Sequence, residues 1–339
     1  MLSPMFLLPL VSALLVGAIP AATNRTTEAG EAAITDPTAE CTPYDYPPLD
    51  ALTANFPPNW VQPAILLPND AAANALWNQI KPQIPTDIAP RGTVQGDFSG
   101  VSPPYTSADP YCWWTWDGCT TPKLAGLKPD ITGVPEPQTL GYGFDDGPNC
   151  SHNAFYDFLT EQNQKATMFY IGSNVQNWPL EAQRAIADGH EICVHTWSHP
   201  YMTAVDSEGA FAELYYAREM IRTITGVTPL CWRPPYGDVD DRIRSIAAAL
   251  NLTTIIWQYD SFDYNGPSVQ AAVDQNYENL IARAKNGTFA MEGTIMLTHE
   301  LTNFTMETAV TYYPQLKAAF KYLVPVGVGM NWTTPYVET

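Results

Sequence analysis

The chain has 339 residues, 45% of them aliphatic, aromatic or cysteine, which supplies apolar material for a large core and excludes a disordered polymer. Against 35 acidic residues stand only 16 basic ones, a net charge of −19. Such a surface repels phosphate backbones and anionic lipid, so nucleic-acid and membrane-surface partners are excluded, whereas an uncharged or cationic substrate is not.

Residues 1–22 carry an apolar run (Met5 to Leu8, then Val11 to Val16) that ends in small residues around Gly17-Ala18 and Ala21-Ala22. The run is short for a bilayer span and reads as a cleavable signal peptide. Six Asn-x-Ser/Thr sequons, at Asn24, Asn149, Asn251, Asn286, Asn303 and Asn331, fit the same route. Six cysteines, an even number, then favour disulfides. Cys112 and Cys119 bracket a short Trp-rich turn and form the expected local pair, while the partners of Cys41, Cys150, Cys193 and Cys231 stay open. No second apolar stretch follows and Thr333 to Thr339 is polar, so neither a transmembrane helix nor a glycolipid-anchor tail is expected. The expectation is a secreted protein, extracellular or in a cell wall, and a monomer.

Residues 23–138 read as an extension. Of 31 prolines, 18 lie between Pro37 and Pro137, and Asp70 to Ile80 is the one predicted helix. Trp60, Trp77 and the run from Tyr111 to Trp116 argue against a disordered tail. Core packing or a stapled loop is the expected role for these aromatics, with a sugar-stacking surface as the alternative. From residue 139 to 339 strand and helix alternate. Strands are predicted at Leu140–Asp145, Ala166–Ile171, Glu191–His195, Leu230–Arg233, Thr253–Tyr259, Thr294–Thr298 and Val326–Met330. Helices are predicted at His152–Asn163, Pro179–Asp188, Glu208–Thr225, Asp238–Leu250, Ser268–Lys285 and Met306–Leu323. This alternation calls for a parallel sheet covered by helices, and seven strands favour a barrel over an open sheet. There is no internal repeat and no glycine-rich phosphate loop.

In parallel α/β folds the βα loops at the C-terminal strand ends build the active site. Those ends here read Phe144-Asp145-Asp146-Gly147-Pro148, His195-Thr-Trp-Ser-His199, Arg233-Pro-Pro-Tyr236-Gly237, Asp260-Ser-Phe-Asp263-Tyr264 and Leu297-Thr-His299-Glu300. Three of the five histidines fall within them. His195 and His199, four apart, face one way if the segment forms a helical turn. Two neutral imidazoles and one carboxylate make a three-ligand site with open positions, as hydrolytic zinc requires. Adjacent Asp145 and Asp146 point in different directions on an extended chain, so one is suited to the metal and the other to a proton.

In order and spacing these five segments resemble the motifs of the polysaccharide deacetylase family, carbohydrate esterase family 4 with the NodB-homology fold, over about Leu140 to Leu323. Leader, sequons and Trp-rich extension are most similar to the fungal chitin deacetylases within it. The resemblance implies a distorted (β/α) barrel and release of N-acetyl groups from chitin or chitooligosaccharides. It implies Asp145 as general base, and Asp146, His195 and His199 as metal ligands, with Zn²⁺ first and Co²⁺ or Mn²⁺ as alternatives. Arg233 would orient the base and keep it charged, the Tyr236 N–H would meet the oxyanion, and Leu297 would line an acetyl pocket. His299 would be the general acid, held in its charged form by Asp263. Tyr264 stands where the family often has Trp, which implies an altered groove wall.

Three rivals remain at the level of sequence. A glycoside hydrolase would pair Asp145 with Glu300 or Asp263 across a glycosidic bond, but that leaves both loop histidines and Arg233 without a task. A non-catalytic glycan-binding protein fits the aromatic extension but not the full set of catalytic side chains. Acetylxylan esterase and peptidoglycan deacetylase share the chemistry and differ only in loops.

Overall fold

The computed structural model describes residues 24–101, 105 and 108–339; the expected signal peptide lies outside the described residues. Among the described residues nine parallel strands are arranged in two sheets. The first carries β2 (Gly143–Gly147), β3 (Thr167–Tyr170), β4 (Glu191–Val194), β5 (Cys231–Trp232) and β6 (Thr253–Thr254) in that order. The second has the order β7 (Tyr259–Asp260), β8 (Thr294–Leu297), β1 (Thr139–Gly141) and β9 (Tyr322–Val324). The sheets meet where Asp145 N–H donates to Thr298 O (3.0 Å) and Glu300 N–H to Asp145 O (2.8 Å), and this seam gives the layout of a distorted (β/α) barrel.

Helices cover the strands from outside. Within the extension α1 spans Ala71–Ile80, and in the barrel follow α2 (Asn153–Glu161), α3 (Gly172–Asn177), α4 (Pro179–Ala187), α5 (Ser207–Thr225), α6 (Asp241–Ala249), α7 (Gln270–Lys285) and α8 (Asn303–Ala319). Local signals set their ends. Asp206 caps α5 by accepting from Gly209 N–H, and Gly226, at φ 78°, closes it in the left-handed region. Asp70 caps α1, whose Ala73, Trp77 and Ile80 recur at helical spacing and are buried.

Three predicted strands need correction. Leu140–Asp145 is broken at Tyr142, so that β1 and β2 belong to different sheets, and Thr253–Tyr259 is likewise divided between β6 and β7. Val326–Met330 is not a strand: β9 precedes it, α8 stops at Ala319, and Val326–Gly329 is a helical turn. The cause is a buried partner, because that turn aims Gly327 N–H at Glu191 Oε2 (3.0 Å) and Val326 N–H at Thr167 Oγ1 (2.7 Å). A Cβ on Gly327 would sit 2.0 Å from Glu191 Oε1, so only glycine admits this approach.

The extension packs along the barrel. Besides α1 it holds short helical turns at Glu28–Glu31, Pro37–Glu40, Pro47–Asp50 and Trp114–Asp117, which the proline-rich sequence did not announce. Ala64 N–H donates to Glu213 Oε1 (2.7 Å), Trp77 Nε1 to Glu208 (3.0 Å), Arg91 pairs with Asp240 (2.6 Å) and Trp113 Nε1 donates to Asp238 (2.8 Å). Trp77 and Trp113 are core residues, whereas Trp60 and Trp116 are 46% and 41% exposed. Cys41–Cys150 staples the extension to the barrel, Cys193–Cys231 joins β4 to β5, and Cys112–Cys119 closes the Trp-rich turn. Beside the first of these, Glu31, Glu40 and Glu181 are all buried, with Tyr44 donating to Glu181 Oε2 at 2.6 Å.

Candidate active site

At the C-terminal end of β2 the chain leaves the sheet through Asp145, Asp146 and a cis Gly147–Pro148 bond. Asp145 keeps the extended backbone, while Asp146 lies at φ 73°, so their carboxylates diverge. Asp145 Oδ1 accepts from Arg233 Nη1 at 2.6 Å. The Arg233 guanidinium lies 3.9 Å above the Phe169 ring centroid, and both charged side chains are buried.

Asp146 turns the other way, toward His195 and His199. Its Oδ1 is 3.3 Å from His195 Nε2 and 3.1 Å from His199 Nε2, and one donor atom from each of the three residues fits within 4.8 Å. His195 Nδ1 is 2.8 Å from the Arg233 carbonyl, which as an acceptor fixes the proton on Nδ1 and leaves a lone pair on Nε2. A lone pair then faces Asp146 Oδ1, a buried oxygen without a hydrogen-bond donor among the described residues. An acceptor set of two imidazoles and a carboxylate around an orphaned oxygen fits a divalent cation. The other such grouping, Asp109 with Cys112 and Cys119, has its sulfurs consumed in a disulfide.

The expected helical turn for His195 and His199 is absent. The segment is a loop in which Thr196 (φ 66°) and His199 (φ 59°) are left-handed, and this, with no helical period, brings the rings together. Tyr236 (φ 57°) and Phe262 (φ 58°) in the next two loops share that conformation. Non-glycine residues in this region cost of order 1–3 kcal/mol each, and they gather where function outweighs stability.

His299 closes the opposite side. Its Nδ1 is 2.6 Å from Asp263 Oδ1, and its N–H donates to Asp263 Oδ2 at 3.1 Å. Burial works against the charged ring, but the Asp263 carboxylate more than compensates and lifts the pKa to about 9. Leu297 is buried in β8, and the half-exposed rings of Tyr236 and Tyr264 flank the opening. Tyr236 stacks on Tyr201 (4.0 Å between centroids) and meets His199 edge-on; Tyr264 meets His299 at 5.3 Å. The residues singled out for chemistry or substrate thus gather at one end of the barrel strands, linked by the contacts Asp145–Arg233, Asp146–His195–His199–Tyr236 and Asp263–His299–Tyr264, with Leu297 two residues before His299. Five sequon asparagines are exposed, while Asn149 is half-buried and donates to Leu301 O.

Several supporting side chains carry no motif. Glu213, wholly buried on α5, accepts from Trp197 N–H, Ser198 N–H and Ser198 Oγ and so fixes the histidine loop. Asn174 Nδ2 donates to Asp146 O (2.7 Å). The only hint for Glu213 was a carboxylate on the apolar side of a long helix, between Ala210, Phe211 and Leu214. Glu300 is buried too, with His152, Tyr156 and Asn149 N–H as partners, and both Asp263 oxygens are spent on His299. Neither carboxyl is free to face Asp145 across a sugar bond, which removes the glycosidase pairing.

Comparison with known proteins places this layout. The family model "Polysaccharide deacetylase" matches residues 132–255. Chitin deacetylase 2 of Cryptococcus neoformans var. grubii is 53% identical over 323 residues, which cover 93% of this chain and 70% of that one. The chitin deacetylase of Amylomyces rouxii is 44% identical over 315 residues, covering 89% and 73%. The structure of the chitin deacetylase from Colletotrichum lindemuthianum superposes with a TM-score of 0.58 at 23% identity, over 63% of this chain and 98% of that one, and shares the fold. The chain belongs to the polysaccharide deacetylase family.

Proposed function

We propose that this protein is a chitin deacetylase, hydrolysing the linear amide of N-acetylglucosamine units in chitin or chitooligosaccharides to free amine and acetate. The observation that carries the reading is a carboxylate–guanidinium pair, Asp145–Arg233, set opposite an imidazole–carboxylate pair, His299–Asp263, beside a three-donor cation site. Relatives named chitin deacetylase over nine-tenths of the chain supply the substrate.

Asp146, His195 and His199 would hold the cation, Zn²⁺ first with Co²⁺ or Mn²⁺ as alternatives. Bound there, it would supply Lewis acidity, lowering the pKa of a water from 15.7 to about 7. Asp145, oriented by Arg233, takes the proton of the attacking water. The acyl oxygen gains negative charge as the carbonyl carbon becomes tetrahedral, and the Tyr236 N–H donates to it, an interaction worth about 3–4 kcal/mol in comparable sites. His299 gives its proton to the departing nitrogen as the C–N bond breaks, and Asp263 balances the ring's charge until then. Leu297 lines the acetyl methyl's place. No covalent intermediate is required.

Residues 139–339 form the catalytic unit in this reading and 23–138 a segment packed around it. An oxidising, extracellular or cell-wall setting fits three disulfides and the sequons, and among the described residues no helix is long and apolar enough to cross a membrane. The test is acetate release from N-acetylglucosamine oligomers and from acetylated xylan, on chelator-stripped protein with and without restored Zn²⁺. Metal-dependent acetate from the oligomers is expected; acetate from xylan alone would overturn the substrate and keep the chemistry.

A further inference from the structure

Trp60 is a half-exposed tryptophan in a segment anchored on both sides to the loops around the candidate site. On one side Phe56 stacks on Trp197 (5.8 Å, 5° between planes), and Trp197 Nε1 donates to Pro58 O (3.2 Å). On the other, Ala64 N–H is bound by Glu213. Between these anchors Trp60 N–H donates to Ser173 Oγ (3.1 Å), and Gln62 Nε2 donates to Ser198 O (2.6 Å) and His199 O (3.3 Å). Ser173 lies in the first turn of α3, just after β3, next to Asn174, which holds the Asp146 carbonyl. The Trp60 backbone is therefore tied through one residue to the cation-site loops.

Trp60 itself lies at φ 60° and is 46% exposed. A left-handed backbone at a bulky residue costs stability, and the exposed half of the ring contributes nothing to the core. The exposed rings of Tyr236, edge-on to His199, and Tyr264, against His299, stand on the barrel loops, and Gln62 ties the Trp60 segment to the carbonyl of that same His199, so exposed aromatics of the extension and of the barrel are held by the loops of one site. Pyranose rings present flat C–H faces that stack on such indole and phenol surfaces, and an uncharged chain tolerates a protein of charge −19. The family model begins at residue 132, so Trp60 stands outside its match.

From this geometry we infer that Trp60 is a sugar-binding platform, a distal subsite that the N-terminal extension adds to the cleft for a glycan unit beyond the one being deacetylated. The inference rests on the glycan reading of the site but not on its hydrolytic chemistry. The experiment is calorimetric titration of N-acetylglucosamine hexamer and dimer into the Zn²⁺-loaded Asp145→Asn protein, alone and with Trp60→Ala or Trp60→Phe added. Thermal melts confirm that each variant is folded. Trp60→Ala should weaken hexamer binding about tenfold, and Trp60→Phe, which keeps a stacking face, by no more than about threefold. In the otherwise native enzyme Trp60→Ala should lower the hexamer-to-dimer ratio of kcat/KM by a similar factor, through KM. Unchanged hexamer binding in Trp60→Ala, or none in the parent, would overturn the subsite. Trp60-dependent binding without any acetate release in the native enzyme would uphold it while sinking the proposed reaction.

Discussion

Asp145 and Asp146 are neighbours with opposite proposed tasks, and the tasks separate by experiment. Asp145→Asn keeps the shape of the base and removes its basicity, so acetate release should fall by about 10²–10⁴-fold. Zn²⁺ stoichiometry, measured by metal analysis after dialysis, should stay unchanged because Asp146 and both histidines remain; loss of the metal would reverse the two roles. A second prediction concerns the acid. Asp263 lifts the His299 pKa to about 9, so the protonated ring is fully present well below that pH and is lost as pH rises through it. The alkaline limb of kcat/KM should therefore fall near pH 9. In Asp263→Asn it should move toward lower pH, since burial then acts without the compensating carboxylate. An unshifted limb would remove His299 from the reaction. These residues were legible in the sequence because each sits at a strand end within a short motif.

At the scale of elements, α5 does more than cover the sheet. Glu213 receives four hydrogen bonds, from Ala64, Trp197 and twice from Ser198, and thereby locks the extension and the histidine loop onto one carboxylate. Glu213→Ala strands buried donors, each costing about 1–3 kcal/mol, and leaves His199 on a loose loop. A lower melting temperature and about 10–100-fold weaker Zn²⁺ affinity are expected, the latter from competition with a chromogenic chelator. Unaltered affinity in a folded variant would refute the coupling. Its position on the apolar side of the helix is a weak signal in the sequence, because a glutamate on a helix reads as solvated until its neighbours are known. The same holds for Val326–Gly329: apolar residues and glycines alternate there as in a strand, and the buried Glu191 that bends them into a turn is 135 residues upstream of Val326 in the chain. Alternation itself was legible, since period and length survive burial. Breaks such as Tyr142 were not, because they mark where one sheet hands over to the other.

Across the whole molecule the extension and barrel share a seam of buried acids. Burial, the charge of Glu31 and an opposing hydrogen bond from Tyr44 leave Glu181 with a pKa of about 7 against an ordinary 4.5. Burial raises Glu31 and Glu40 as well, partly offset by His152 at Glu31 and by the Asn153 N–H at Glu40. A raised folded-state pKa contributes its stability fully below the unfolded value and forfeits it as pH climbs through the folded one. Stability should thus decline between about pH 4.5 and 7, by on the order of 3 kcal/mol from Glu181. Denaturant melts at a series of pH values check this, and Glu181→Gln should flatten the slope. A slope unaffected by that change would place the titration elsewhere.

The staple between Cys41 and Cys150 also has a consequence for biosynthesis. The extension leaves the ribosome first, yet its binding surface is made of segments translated later: Cys150 follows 109 residues on, and Glu213 later still. Since chains fold from the N-terminus as they emerge, residues 24–101 must wait, oxidisable and unpacked, until the first half of the barrel has been translated. Meanwhile Cys112 and Cys119, only seven apart, can close at once, which withdraws them as wrong partners for Cys41. Order of synthesis and spacing of thiols together favour the native pairing before the last strands exist.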